Sequence, residues 1–263
     1  MSLIFVGLGL ERAGISVRGL EEARRADAVY AEFYTSIVPR LSVEELQQLI
    51  GKPVQVVDRK TVEENPDEIL RRAKSERVVF LVPGDPMVAT THVDLRLRAH
   101  RMNVQTEIVH AGSILSAVAG AAGLQSYKFG ASATIPFPDN PSSRPYEILV
   151  QNKQRGLHTL LLLDFRAEER KTMTANQAIE IMLGLERKHG KKVFLPETLA
   201  VVVARVGDPD ARVCAAMVRD LAFQDFGDPP HSLVVPGALH FMEGEALKVF
   251  GGAPADVVDQ LVR

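Results

Sequence analysis

Unbroken apolar runs of four to six residues recur through the first 110 positions, separated by segments with helical periodicity. The run Val78-Val79-Phe80-Leu81-Val82 reads as a strand covered on both faces, as in a parallel sheet. Leu3-Ile4-Phe5-Val6 is a second such run, with shorter strands expected at 28–31, 54–57 and 104–109. Helices are expected at 16–25, from Ser42 as N-cap to Gly51, from Pro66 to 74, and at 91–101. Strand and helix alternate, which predicts a mostly parallel sheet with helices on its faces.

Past residue 110 the pattern changes. Ser113 opens a helix of small residues, and strands are expected at 133–137, 159–164, 199–206 and 232–235. Helices are expected at 175–188 and 212–221, and a Pro/Ser/Asn-rich loop at 136–145. The fold class predicted is α/β in two domains, 1–110 and 111–263, each a mixed sheet flanked by helices. The length of 263 residues, beyond the usual size of one core, agrees with two.

Charge and cysteine content narrow the function classes. A net charge of −2 with scattered Lys and Arg gives no footprint for nucleic-acid binding. Cys214 is the single cysteine, so no intrachain disulfide and no multi-cysteine metal site can form. Its apolar, helical-looking surroundings predict a buried structural thiol. His92, His100, His110 and His240 lack metal-ligand spacing, and no metal is expected. With no apolar run of about 18 residues and no basic leader, no membrane segment is expected, and the expected location is cytoplasmic.

Three stiff loops carry the candidate chemistry. In Pro83-Gly84-Asp85-Pro86-Met87-Val88, prolines flank a glycine and a carboxylate at a strand's carboxyl end, where open α/β sheets place ligands. An ordinary turn, with Asp85 bonding its own backbone, is the competing reading. His110-Ala111-Gly112-Ser113-Ile114 turns a strand into a helix whose first N–H groups favour a carboxylate, or simply caps that helix. Pro229-Pro230-His231 holds a histidine at the start of an apolar strand, where a satisfied core residue is the plainer reading.

Gly7-Leu8-Gly9, with Glu32 ending the second strand, begins like a dinucleotide fingerprint and makes a nicotinamide-dependent oxidoreductase the rival reading. Arg12 stands where its third small residue belongs, and the helix start is delayed to Ser16.

Taken together, the loops resemble the tetrapyrrole-methylase-like superfamily from end to end. The matching runs are Phe5 to Leu10, Arg25 to Ser36, Val82 to His92, His110 to Ile114, Gly130 with Ile135-Pro136-Phe137, and Pro230 to Gly237. Ala31-Glu32-Phe33-Tyr34-Thr35-Ser36, Ala89-Thr90-Thr91-His92 and Pro230-His231-Ser232-Leu233 point to its diphthamide-biosynthesis branch. Leu8 and Leu10 stand where corrin and porphyrin methylases carry a Gly-Pro-Gly-Asp type loop, which argues against a tetrapyrrole substrate; a precorrin methyltransferase is the alternative within the superfamily.

The resemblance implies a homodimer that binds S-adenosyl-L-methionine between its domains and releases S-adenosyl-L-homocysteine. It implies successive methylation of the amino group on a modified histidine of translation elongation factor 2. Cofactor contacts are implied for Leu10, Asp85, Val88, Ser113, Ile114 and His231, and less directly for Phe165 and Val206. No side chain is singled out as an obligatory general base.

Overall fold

Odd and even residues along the first strands go to opposite sides of one sheet, and both sides are buried. Leu3, Phe5, Tyr30, Val78 and Phe80 share one apolar cluster, while Ile4, Val6, Val29, Val79 and Leu81 share the other. The computed structural model, which describes all 263 residues, divides into two units. The first comprises Met1–Ile114 with Arg166–Arg170, the second Leu115–Phe165 with Lys171–Arg263. Sequence reading puts the change of texture near residue 110.

The first unit runs β1 (Ser2–Gly7), α1 (Val17–Arg25), β2 (Ala28–Glu32), α2 (Val43–Ile50), β3 (Gln55–Val57), α3 (Arg59–Glu63), α4 (Asp67–Ser75), β4 (Arg77–Val82), α5 (His92–Arg101) and β5 (Gln105–Val109). Its strands are all parallel in the order β3-β2-β4-β1-β5. Leu70 and Ala73 of α4 and Leu95 of α5 cover one face. Ala23 of α1 and Leu46 of α2 cover the other. The caps fall as expected: Ser16 accepts from Gly19 N, Ser42 forms a capping box with Glu45, and Gly51 ends α2 with φ of 77°.

Helix α6 (Ile114–Ala122) starts at the division of the units. Then follow β6 (Ala133–Ile135), α7 (Arg144–Gln154), β7 (Thr159–Leu163), β8 (Phe165–Arg166), β9 (Lys171–Thr172), α8 (Ala175–His189), β10 (Leu199–Ala204), β11 (Arg212–Met217), α9 (Val218–Leu221), β12 (His231–Val235), α10 (Phe241–Gly251) and α11 (Ala255–Asp259). The second sheet is ordered β11-β10-β12-β7-β6, antiparallel except for the β6–β7 pair. Its core joins Leu161, Val202 and Leu233 to Tyr146 of α7 and Ile179 and Met182 of α8.

One expected helix is corrected. Residues 212–217 form β11, paired with β10 from Arg212 opposite Ala204 to Met217 opposite Leu199, and only Val218–Leu221 is helical. Alanine and methionine favour helix locally, but the exposed edge of β10 offers a full ladder, and pairing overrides the weak propensity. Cys214 is accordingly half-buried on an edge strand, and the burial it has pushes its thiol above the ordinary value.

Candidate functional site

Strands β4, β1 and β5 are adjacent and parallel, so the loops that follow them emerge together at one end of the first sheet. Gly9 and Gly84 bond reciprocally, N to O at 3.1 Å and 2.9 Å, with φ of 74° and 69°. A side chain at Gly7 would put its Cβ 2.5 Å from the Gly84 oxygen and 2.7 Å from Ala111 Cβ. Only glycine permits so close an approach of three turns.

Where they meet, the backbone is bare. A Cβ on Gly84 would find only the Gly112 oxygen within reach, at 3.9 Å, and one on Gly112 only the Leu10 side chain, at 3.9–4.0 Å. The surface is a patch of peptide groups edged by Leu10, where a ligand can approach the backbone closely.

Asp85 is buried beside this patch but is not the lone carboxylate that the sequence suggests. Oδ1 accepts the N–H of Met87 at 3.0 Å. Oδ2 accepts from Nδ1 of His110 at 2.7 Å and from Ala111 N at 3.3 Å. The plain turn interaction is therefore present together with a tie to the β5 loop. Val88 closes the turn, its N–H bonding the Asp85 carbonyl at 3.3 Å, and half-buried. Ser113 is buried and directly precedes Ile114, the first residue of α6.

In the second unit, Phe165, Val206 and His231 also lie at one end of their sheet. Phe165 follows β7, Val206 follows β10, and His231 begins β12 opposite Ala204. Nδ1 of His231 accepts the N–H of Ala175 at 3.2 Å, so the ring proton resides on Nε2. That Nε2 is buried with no protein partner. Burial pushes the imidazole below its ordinary value, aided by the Arg205 charge, and keeps it neutral. It presents one dry N–H donor, which suits an acceptor atom on a bound ligand.

The dinucleotide reading is overturned. Strand β4 lies between β1 and β2, whereas the fingerprint needs those two side by side. Glu32 is fully buried and accepts the N–H groups of Tyr34 and Thr35 at 2.9 Å and 3.0 Å, and the Thr35 hydroxyl. It has no role left for a ribose. Sequence reading missed His110 as the partner of Asp85; its only signal was its place directly after an expected strand.

The model of the tetrapyrrole (corrin/porphyrin) methylases matches residues 2–222. A diphthine synthase of Methanocella arvoryzae is 49% identical over 254 residues, which is 95% of this chain and 98% of the relative. That of Methanocaldococcus jannaschii is 42% identical over 251 residues, 94% and 97% of the two chains. A solved diphthine synthase superposes with a TM-score of 0.92 at 42% identity, covering 100% of both chains.

Fold and loops together define a methyltransferase of the tetrapyrrole-methylase type. The chain belongs to the tetrapyrrole methylase family, within its diphthine synthase branch. Its reaction is the methylation of diphthamide biosynthesis, and the corrin and porphyrin alternative is not favoured by these relatives.

Proposed function

We propose that the methyl donor is S-adenosyl-L-methionine, that S-adenosyl-L-homocysteine is released, and that the acceptor is the amino group of the 2-(3-amino-3-carboxypropyl)histidine of translation elongation factor 2. The observation that carries this reading is the bare Gly84–Gly112 patch with Asp85 at its edge and Leu10 across it. Asp85, Leu10, Val88, Ser113 and Ile114 are the proposed donor contacts of the first unit. Phe165, Val206 and His231 are proposed as further contacts on the strength of the resemblance, and the unpartnered Nε2–H of His231 supports its own case.

When bound, the sulfonium supplies a methyl group that is already electrophilic. The protein's part is alignment, which can lower such a barrier by roughly 7–11 kcal/mol. The stiff turn at Pro83–Pro86 fixes the Asp85 carboxylate, whose Oδ1 holds one donor and retains capacity for another. Leu10, the side chain nearest Gly112, would shield the bare peptide groups from water once the donor is bound. Desolvation and a neighbouring positive charge both disfavour the ammonium form of the incoming amine, so no dedicated base is required.

A homodimer working in the cytoplasm, beside the translation factor it modifies, completes the proposal. Phe241, Met242, Val249 and Phe250 of α10 are exposed, and an apolar helix face of that kind supports self-association. No helix is long and apolar enough to cross a membrane.

The test is transfer of labelled methyl from S-adenosyl-L-methionine to purified elongation factor 2 carrying the modified histidine, with a precorrin as the competing acceptor. Label on the factor alone is the expected result. Label on the precorrin, or on neither, overturns the reading.

A further inference from the structure

Two of the sequence runs that mark the narrower branch, 31–36 and 89–92, meet behind the Asp85 loop, and the patch in front of that loop does not account for them. His92, the first residue of α5, is fully buried, with its ring edge-on to Phe80 at 5.2 Å between centroids. Its Nδ1 lies 3.1 Å from the carbonyl oxygen of Pro86. A carbonyl can only accept, so Nδ1 carries the proton and Nε2 is left as an acceptor. The hydroxyl of Tyr34 lies 3.3 Å from that Nε2 and donates to it.

Both groups are held in these forms. Burial pushes His92 below its ordinary value and keeps the ring neutral, and burial pushes the Tyr34 phenol up and keeps it protonated. Tyr34 is itself fixed, because Glu32 takes its backbone N–H and the Arg59 guanidinium sits 5.3 Å from its ring centroid. The bonds therefore run in one direction, from the Tyr34 hydroxyl to His92 and from His92 to the Pro86 carbonyl. Pro86 directly follows Asp85, so the relay ends on the turn that aims the carboxylate.

We propose that His92 is a positioning residue for the donor loop, its tautomer set by the Pro86 carbonyl and its ring held from the other side by the Tyr34 hydroxyl. The inference rests on the reading that the Gly84–Val88 turn holds S-adenosyl-L-methionine. His92 never reaches the ligand; it acts through the Pro86 carbonyl. Its loss should loosen the loop more than it unfolds the protein.

The experiment exploits the different reach of two amides. In His92→Asn the amide N–H lies near the place of Nδ1 and can still serve Pro86. In His92→Gln the amide lies near the place of Nε2, where its oxygen can accept from Tyr34 while nothing donates to Pro86. Titration calorimetry of the full chain with S-adenosyl-L-methionine and S-adenosyl-L-homocysteine gives the affinities, and thermal unfolding of the same samples reports any common structural loss.

Expected is Asn affinity within about threefold of the parent and Gln affinity about tenfold weaker at the same unfolding midpoint, the range of one lost buried hydrogen bond. Tyr34→Phe, which keeps the ring, should fall between them and provides the reading if the Gln variant does not fold. Equal weakening of Asn and Gln in step with their unfolding midpoints would reduce His92 to a structural residue. Parent-like affinity in both Gln and Phe variants overturns the proposal while leaving the donor site intact. A parent chain that binds neither compound overturns the donor reading, and the inference with it.

Discussion

Oδ2 of Asp85 lies 2.7 Å from Nδ1 of His110, joining the loop after β4 to the loop after β5 across the strand between them. The His110 side chain is 70% exposed while that of Asp85 is 7% exposed. A polar contact with one member so exposed contributes little, about 0–1 kcal/mol. His110→Ala should therefore raise the dissociation constant for S-adenosyl-L-methionine by no more than about fivefold, as read by calorimetry. A loss of a hundredfold or more would mean that the imidazole touches the donor itself.

Asp85→Ala should do far more. It removes the carboxylate and strands the N–H groups of Met87 and Ala111, each a cost of about 1–3 kcal/mol when buried. We expect donor affinity to fall by about a hundredfold, the order of one lost hydrogen bond to a charged group, with a folded protein whose unfolding midpoint drops by about 5–15 °C. Unchanged affinity would take residue 85 out of the site.

Gly112→Ala separates binding from folding more cleanly. Its added methyl would meet only Leu10, at ordinary contact distance, so the unfolding midpoint should stay where it is. The same methyl would stand on the bare peptide patch and displace the ligand, and donor affinity should fall about tenfold or more. An alanine variant that binds like the parent would place the donor somewhere else.

Away from that patch, the second unit holds a buried carboxylate whose protonation should be visible in stability. Burial alone would raise the Glu243 pKa, but the Lys128 ammonium, the N–H groups of Gln125 and His240, and His158 outweigh it and hold the group at about 2. A folded value below the unfolded 4.5 stabilises the native state above pH 4.5, and that contribution is lost as pH falls toward about 2. Glu243→Gln should cost about 3 kcal/mol at neutral pH, the usual cost of leaving a buried charge unpaired. Urea unfolding at pH 7 and pH 3 should show a smaller acid loss in the variant. Parallel curves for the two proteins would remove Glu243 from the acid response.

Self-association is tested on α10. Val249 is 73% exposed, so Val249→Glu should leave the fold intact. It would put a charge into an apolar contact between copies. Sedimentation should then show a dimer for the parent and a shift toward monomer for the variant. A parent that sediments as monomer at micromolar concentration rules the dimer out.

What could be read from residues alone followed physical constraint. The run 78–82 was legible because a strand buried on both faces has to be apolar at every position, and the turns were legible because Pro83, Gly84 and Gly112 restrict or free the backbone visibly. Residues 212–217 were not, since Cys214, Ala215, Ala216 and Met217 suit either helix or strand until the edge of β10 selects one. The contacts of Asp85 with His110 and of His92 with Pro86 and Tyr34 were also hidden. The contacts of His110 and Tyr34 depend on strand order and that of Pro86 on how its own loop folds back, and no local pattern records either.

The insertion of β4 between β1 and β2 has a temporal consequence. The halves of the Gly9–Gly84 clasp are made by distant stretches of chain, and the clasp cannot close until the central strand has slotted in beside β1. A nascent chain released before residue 77 carries one jaw and no grip. Capture of the methyl donor at the proposed site would thus certify that β4 has taken its place beside β1.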